Sequence, residues 1–179
     1  MPKIYLLRHC DYANPRGILP GRLPVELSEA GKQRAAELQQ IFAPKKISTI
    51  YSSAVKRCKQ TAEIISGGQI PIVYDQRLLE TFSPYQGYWV EDEWKHFFGH
   101  LEDLGGESIA DIKKRVLHFY EELLSKLQPE EHVIICSHGD PLQALYAQIK
   151  GLPLSDEQHL PEELKYGWLE KGEFLELQV

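Results

Sequence analysis

The sequence predicts an α/β fold, a three-layer α/β/α sandwich with a mainly parallel central sheet and a small aromatic-rich cap. Short apolar runs alternate along the chain with segments of helical periodicity, a pattern typical of parallel sheets covered by helices on both faces. The chain has 179 residues, of which 42% are hydrophobic and 26% charged, and this suffices for one globular domain with a substantial core. We therefore expect residues 1–179 to form a single domain, with the cap at about residues 75–106.

Five segments carry the patterns expected of strands. Four are short, mostly apolar runs, which favour strands that are buried on both faces. The fifth, near the end of the sequence, alternates apolar and polar side chains and predicts an edge strand. In chain order the segments are residues 4–7, 47–51, 70–74, 133–136 and 173–179.

The first two helices are predicted between these strands. Ser28 is placed to cap a helix whose apolar residues recur on one face until the chain reaches Pro44. Ser52 and Ser53 are candidate caps for the second helix, which we expect to stop at the glycine pair 67–68.

The two later helices also have start signals. Ser108, with Asp111 three residues further on, resembles a capping box, and it precedes a long series of apolar residues at helical spacing. Pro141 is expected at the first position of the last helix, where its missing N–H costs no hydrogen bond.

Two irregular segments remain. Residues 11–27 are rich in proline and glycine and predict a long ordered loop. Residues 75–106 are rich in aromatic side chains, and we interpret them as a cap with a short helix. These aromatics either pack as ordinary core or contact a substrate; they are Phe82, Tyr85, Tyr88, Trp89, Trp94, Phe97 and Phe98.

Charge, hydropathy and cysteine usage exclude several classes of protein. The net charge of −6 gives no overall attraction to nucleic acid or to an anionic membrane, so an anion site requires a local cluster of positive groups. No apolar run approaches the roughly 20 residues of a membrane span, and the first residues lack the apolar core of a signal peptide. Cys10, Cys58 and Cys136 form no CxxC pair, which argues against disulfides and zinc. We expect a cytoplasmic protein without nucleic-acid or membrane partners.

Charged and polar side chains follow the ends of three predicted strands. Arg8 and His9 come directly after the first strand, Arg57 lies shortly after the second, and His138 follows the strand at residues 133–136. Because the carboxyl ends of parallel strands meet at one edge of a sheet, we expect these side chains to lie together.

The chemistry of this set points to a phosphoryl group. Guanidinium groups match phosphate oxygens in pairs and remain charged, and a neutral imidazole attacks phosphorus without requiring a metal ion. Glu80 is a candidate proton donor to the departing oxygen if burial and the nearby phosphate raise its pKa. Composition alone does not distinguish it from Glu91, Asp92 and Glu93.

Several motifs, in order, resemble those of the histidine phosphatase superfamily, which also contains the cofactor-dependent phosphoglycerate mutases. Leu-Arg-His-Cys at 7–10 is similar to the RHG motif, and the Ser-Ser pair with Arg57 and Thr61-Ala62 is similar to "SSpl.RA.qTA". The resemblance spans about residues 4–145. The other matching segments are Gly21-Arg22, residues 27–31, Leu79-Glu80, Gly106-Glu107-Ser108 and Ser137-His138-Gly139.

The resemblance implies a role for each site residue. His9 is the nucleophile that forms a phosphohistidine, and Glu80 is the general acid and later the base. Arg8, Arg57 and His138 bind the phosphoryl group, with His138 also counted among the catalytic residues. Asn14, offset by one position from an asparagine of the family, is a further candidate for contact with phosphate. No cofactor and no metal ion are implied.

Two departures from the family pattern bear on function. Cys10 stands where the family has glycine, so either the backbone there is ordinary or the site is remodelled, and an exposed thiol would make the enzyme sensitive to oxidation. The cap is longer than the family's compact segment.

The expected function is hydrolysis of a small phosphomonoester; the alternatives are a phosphoglycerate-type mutase and a catalytically silent phosphate-binding or scaffold protein. Substrate identity and oligomeric state stay open.

Overall fold

The five strands expected from the sequence form one sheet in a computed structural model, which describes residues 1–89, 101–153 and 168–179. The strand order is β3-β2-β4-β1-β5, with every pair parallel except β5, which runs antiparallel to β1 at the edge. The elements are β1 (Lys3–Arg8), α1 (Glu29–Phe42), β2 (Ile47–Ser52), α2 (Lys56–Ser66), β3 (Ile72–Tyr74), α3 (Ile109–Lys126), β4 (His132–Ser137), α4 (Gly139–Lys150) and β5 (Phe174–Gln178).

Alternating side chains of β1 divide the core into two clusters, one on each face of the sheet. Ile4 and Leu6 pack with residues of α3 and α4, whereas Tyr5 and Leu7 pack with residues of α1 and α2. All four side chains are at most 1% exposed, and each such burial contributes about 1.5–3 kcal/mol. The two clusters confirm the predicted three-layer arrangement. The expectation of one domain over residues 1–179 stays a prediction.

The register of the sheet brings three strand ends to one edge. Arg8 at the end of β1 lies opposite Ser137 at the end of β4, and Ser52 at the end of β2 lies opposite Cys136. The chain segments that follow these strands therefore start side by side, as expected for a site at the carboxyl edge of a parallel sheet.

Several helix ends agree with the sequence. Ser28 caps α1 by accepting a hydrogen bond from the Gly31 amide, and Ser108 and Asp111 form a capping box at the start of α3. Gly67 ends α2 in the left-handed conformation, with a φ of 53°, which glycine adopts without a steric penalty.

Two helix starts differ from the prediction. Val55 is the N-cap residue of α2 and makes no side-chain cap. The hydroxyl of the buried Ser53 accepts from the Val55 amide at 3.3 Å and lies 2.9 Å from Nε2 of His138. Pro141 is the third residue of α4 rather than the first. Proline is tolerated throughout a first turn because the N–H groups there have no partner within the helix.

Part of the predicted cap lies within the described residues. Gln76–Leu78 and Leu101–Leu104 form short 3-10 turns, and Trp89 makes an isolated bridge to Ile18. Tyr88 is 62% exposed and Trp89 72% exposed, so these two aromatics are not core. Phe82 and Tyr85 are half-buried. The other aromatic candidates, Trp94, Phe97 and Phe98, and the acidic residues Glu91, Asp92 and Glu93 lie outside the described residues.

The described helices were also compared with the requirements of a membrane span. None of those in residues 1–89, 101–153 and 168–179 is both long enough and apolar enough to cross a bilayer.

Candidate active site

His9 lies directly after β1 and is 1% exposed. Its Nδ1 is 2.8 Å from the carbonyl oxygen of Cys10, and because a carbonyl only accepts hydrogen bonds, Nδ1 carries the proton. Nε2 then presents a lone pair, which accepts a hydrogen bond of 3.0 Å from Nε of Arg57. Burial, and then the positive charge of Arg57, hold the pKa of His9 well below its usual range. The ring is therefore neutral, with Nε2 in the nucleophilic form.

Arg57 lies in the first turn of α2 and is 1% exposed. Its Nη2 donates to the carbonyl oxygen of Gly21 at 3.0 Å and to Oε2 of Glu80 at 3.1 Å. Its Nη1 is buried, with no hydrogen-bond partner among the residues that the structure describes. Because a buried charged donor without a partner is costly, this nitrogen is well suited to an anionic ligand.

His138 is the N-cap residue of α4 and is fully buried. Its Nε2 lies 2.9 Å from the Ser53 hydroxyl and 3.4 Å from Sγ of Cys58, and its Nδ1 lies 3.0 Å from Nη2 of Arg57. Burial alone would lower the pKa of His138, but the neighbouring Cys58 and Glu80 raise it. The site thus joins the starts of α2 and α4, where helix dipoles favour anions.

Glu80 lies in the loop after the Gln76–Leu78 turn, with its side chain 20% exposed. Oε2 is 3.3 Å from Nδ1 of His138, and Oε1 accepts a hydrogen bond of 3.0 Å from the Thr81 amide. Burial works to raise the pKa of Glu80, but the positive groups at His138 and Arg57 outweigh it and hold the pKa below its usual range. Without a bound anion, Glu80 is therefore a carboxylate.

Arg8 ends β1 and points toward the segment before β5. Its Nη1 donates to the carbonyl oxygen of Leu169 at 2.8 Å, and its guanidinium carbon lies 4.8 Å from the centre of the Trp168 ring. Its Nε is buried and has no hydrogen-bond partner within the described residues. Arg8, which directly precedes His9 in the chain, therefore keeps a second donor group without a described partner.

The turn before β5 holds the backbone at Arg8 and His9. The amide of Gly172 lies 3.1 Å from the carbonyl oxygen of His9 and 3.2 Å from that of Arg8, and the Arg8 amide donates to the carbonyl oxygen of Glu173. Gly172 has a φ of +75°, which favours glycine. None of the sequence motifs points to this contribution; its one signal in the sequence is a glycine immediately before the predicted edge strand.

The amide group of Asn14 makes its described hydrogen bonds within its own loop. Nδ2 donates to the carbonyl oxygen of Ile18 at 2.8 Å, and Oδ1 accepts from the Ile18 amide at 3.2 Å. The structure thus joins His9, Arg57, Glu80 and His138 directly and places Asn14 in a turn. Contact between Asn14 and phosphate stays a prediction.

Cys10 has an ordinary backbone conformation. Lys46 is the single non-glycine residue with positive φ among those described, so the cysteine adopts no angle that requires glycine. Its side chain is fully buried, its amide donates to the Thr61 hydroxyl, and burial raises the pKa of the thiol to about 11. The thiol lacks the exposure and the low pKa that oxidation requires.

Three side chains of the site carry atoms that metal ions commonly bind. His9, Glu80 and His138 offer one ligand atom each within 4.8 Å of one another. The guanidinium of Arg57 contacts all three side chains, so a positive charge already lies among these atoms. The set therefore fits an oxyanion better than a cation.

Comparisons with known proteins agree with this geometry. A family model described as "Histidine phosphatase superfamily (branch 1)" matches residues 4–165. Phosphoserine phosphatase 1 of Hydrogenobacter thermophilus is 33% identical, over 87% of this chain and 79% of its own. 5''-phosphoribostamycin phosphatase of Niallia circulans is 30% identical, over 91% and 84% respectively. The solved structure of Bacillus stearothermophilus YhfR superposes with a TM-score of 0.82 at 25% identity, covering 100% of this chain and 92% of that one.

Proposed function

The chain belongs to the histidine phosphatase superfamily, and from this premise we propose that it hydrolyses small phosphomonoesters through a phosphohistidine on His9. The observation that carries the proposal is the pairing of a neutral, buried His9 with the guanidinium of Arg57, whose Nη1 is buried without a described partner. A nucleophile and an unsatisfied cation side by side are what in-line attack on a phosphoryl group requires.

Binding of the substrate would rearrange the bonds of Arg57. Phosphoryl oxygens would accept hydrogen bonds from the free donors of Arg57 and Arg8 and from His138. The Nε2 lone pair of His9, which accepts from Arg57 in the free site, would then be available to phosphorus. The anion would also compete with Glu80 for Arg57 and His138, and the nearby negative charge would raise the pKa of the Glu80 carboxyl.

The reaction would proceed in two steps. First, Nε2 of His9 attacks phosphorus, the bond from phosphorus to the alcohol oxygen breaks, and protonated Glu80 gives its proton to that oxygen. Second, water attacks the phosphohistidine, Glu80 takes the water proton, and the N–P bond breaks to release inorganic phosphate. His9 is regenerated and Glu80 is again protonated. When phosphate leaves, Glu80 gives its proton to solvent and returns to the carboxylate of the free site, which closes the cycle.

Small phosphorylated metabolites are the proposed substrates. Among the matching proteins are a phosphoserine phosphatase and a phosphatase named for 5''-phosphoribostamycin, and a small monoester suits a site in which the phosphate-binding groups are buried. The proposal therefore names a class of substrate and no single compound.

Substitution of the nucleophile tests the mechanism. We expect His9→Ala to abolish phosphate release from a panel of small phosphomonoesters and to abolish the acid-labile phosphoenzyme that rapid quenching traps in the wild type. His118→Ala, at an exposed position on α3, is the matched control and should keep both. Near-normal hydrolysis by a folded His9→Ala protein would contradict the proposal. Phosphate release that falls short of substrate consumption, with transfer to another hydroxyl, would favour the mutase alternative.

A further inference from the structure

Three charged side chains hold the main chain of the loop that carries Glu80, whereas Arg57 and His138 contact the Glu80 side chain. Glu107 lies just before α3, Arg115 lies within α3, and Arg22 comes from the loop that follows β1. The proposed reaction uses none of them directly.

Glu107 is the centre of this group. Its Oε1 accepts from Nε of Arg115 at 2.7 Å, and its Oε2 accepts from Nη2 of Arg115 at 3.0 Å and from Nη2 of Arg22 at 2.8 Å. Oε2 also accepts from the amide of Phe82 at 2.9 Å, and the amide of Glu107 donates to the carbonyl oxygen of Phe82 at 2.9 Å. One carboxylate thus fixes both arginines and the backbone two residues after Glu80.

The two arginines converge on the main chain of Glu80. Nε of Arg22 donates to the Glu80 carbonyl oxygen at 2.8 Å, and Nη2 of Arg115 lies 3.4 Å from the same atom. Nη1 of Arg115 donates to the carbonyl oxygen of Arg77 at 2.7 Å. Backbone groups on both sides of Glu80 are therefore tied to the same charged cluster.

These contacts matter because the backbone around Glu80 has no regular secondary structure. Residues 79–83 belong to no helix or strand, so no ladder of backbone hydrogen bonds fixes the direction of the Glu80 side chain. The side chains of Arg22, Glu107 and Arg115 are 28%, 18% and 15% exposed, and charge-assisted hydrogen bonds at such partly buried positions are stronger than those at the surface. The cluster replaces regular structure at this loop.

We propose that Glu107, together with Arg22 and Arg115, positions Glu80 for proton transfer to the departing alcohol. The inference rests on the proposed role of Glu80 as general acid. Glu107 touches no reacting atom; it acts through the Glu80 main chain, and its loss would misplace the acid relative to the scissile bond without removing the nucleophile or the phosphate-binding groups.

The leaving group provides a readout that a merely structural role would not change. An alkyl alcohol must be protonated as it departs, whereas p-nitrophenolate departs as a stable anion and needs little help from an acid. The value of kcat/KM reports the steps up to formation of the phosphoenzyme, where the acid acts. A misplaced acid therefore lowers kcat/KM for an alkyl phosphate and leaves that for p-nitrophenyl phosphate nearly unchanged.

The experiment compares both substrates across matched variants. We expect Glu80→Gln to lower kcat/KM for the alkyl phosphate about 100-fold, the lower range for loss of a general acid. Glu107→Gln and Arg22→Lys should each lower it about tenfold, since small misplacements of a reacting group are costly in rate. Glu122→Gln, which breaks the 2.7 Å ion pair with Arg77 but touches no backbone group at Glu80, is the control and should resemble the wild type.

A double variant separates positioning from general damage. If Glu107 acts through Glu80, adding Glu107→Gln to Glu80→Gln should lower kcat/KM for the alkyl phosphate little further, whereas independent effects would add. Equal losses with both substrates, or additive losses in the double variant, would overturn the positioning role and leave the proposed function intact. A Glu80→Gln protein without selective loss on the alkyl phosphate would overturn the acid role of Glu80 and, with it, the positioning role, whereas the role of His9 is tested separately by His9→Ala. Arg22→Lys keeps the test decisive if Glu107→Gln fails to fold.

Discussion

At the residue scale, the ionisation state of Glu80 is the feature that links the free site to the reaction. From the sequence, Glu80 is expected to be an acid with a pKa that is raised by burial and by the bound phosphate. In the free site, however, the positive groups at His138 and Arg57 outweigh the effect of burial, and the pKa of Glu80 lies below its usual range. A bound dianion would neutralise both partners and move the pKa of Glu80 upward. The acid would thus be formed by the substrate itself.

We expect anion binding at this site to be coupled to proton uptake by Glu80. Sulfate stays a dianion over the useful pH range, so the protons must be taken up by the protein. Because binding raises the pKa of Glu80 from its lowered free value, sulfate affinity should fall as pH rises through the bound-state pKa, by at most about tenfold per pH unit for one proton. Isothermal titration calorimetry in several buffers measures the uptake.

Two variants test the coupling at Glu80. Glu80→Gln should bind sulfate more tightly near neutral pH, because a competing carboxylate is gone, and should show a shallower pH dependence. His138 faces the same anion and also titrates, so some dependence remains. Glu37→Gln, an exposed member of an ion pair on α1, should behave as the wild type. An unchanged slope in Glu80→Gln would contradict the interpretation.

At the element scale, the turn before β5 links the edge strand to the backbone of the candidate site. β5 pairs with β1, and the turn that precedes it gives the amide of Gly172 to the backbone of Arg8 and His9. The edge strand therefore supports the nucleophile.

Substitution of Gly172 should affect both stability and catalysis. A Cβ at this position would lie 2.8 Å from Cγ of Arg34, and the φ of +75° is strained for alanine, so Gly172→Ala should cost about 1–2 kcal/mol of unfolding free energy or more. We expect kcat/KM to fall about tenfold as His9 shifts. Chemical denaturation and phosphatase assays measure the two effects.

Gly68→Ala is the matched control for this prediction. Gly68 has a φ of +73° and nothing within 4 Å of the added Cβ, so it carries a similar backbone penalty without a contact near the site. It should lose stability and keep activity. Equal activity losses in the two variants would show that general destabilisation, rather than the turn, is responsible.

At the scale of the whole molecule, a protein with a net charge of −6 keeps two arginines with unsatisfied donor atoms near one edge of its sheet, Arg8 at the end of β1 and Arg57 shortly after β2. The parallel strands β1, β2 and β4 end together, and their following segments deliver His9, Arg57 and His138 from distant parts of the chain. A ligand that binds only this assembled arrangement should stabilise the fold.

Inorganic phosphate tests this coupling between ligand and fold. At a concentration of about 100 times its dissociation constant, phosphate should raise the unfolding free energy by about 2.7 kcal/mol, which thermal or chemical denaturation detects. Arg57→Lys keeps the charge but loses the paired donors, and it should lose most of the stabilisation at the same phosphate concentration. Arg16→Lys, at an exposed position, should retain it. Equal stabilisation of all three proteins would place the phosphate elsewhere.

The local pattern of the sequence was enough to determine the fold class, the order of the strands and helices along the chain, and several helix ends. Apolar runs located the strands because burial selects their side chains, and Ser108 with Asp111 located the start of α3 because a capping box is a local structure. The motifs also singled out His9, Arg57 and His138 as candidate site residues, and in the structure Arg57 lies 3.0 Å from each of the two histidines.

Only the tertiary structure decided which partners those residues have. Ser53, expected to cap α2, contacts His138; Gly172 comes from the far end of the chain to hold His9; and Glu107 reaches Phe82 and Arg22 across the fold. The ionisation of Glu80 depends on the same long-range contacts. Hydrogen bonds and charge interactions depend on the distance in space and not on the separation along the chain. The periodicity of the sequence therefore does not predict which residues become partners.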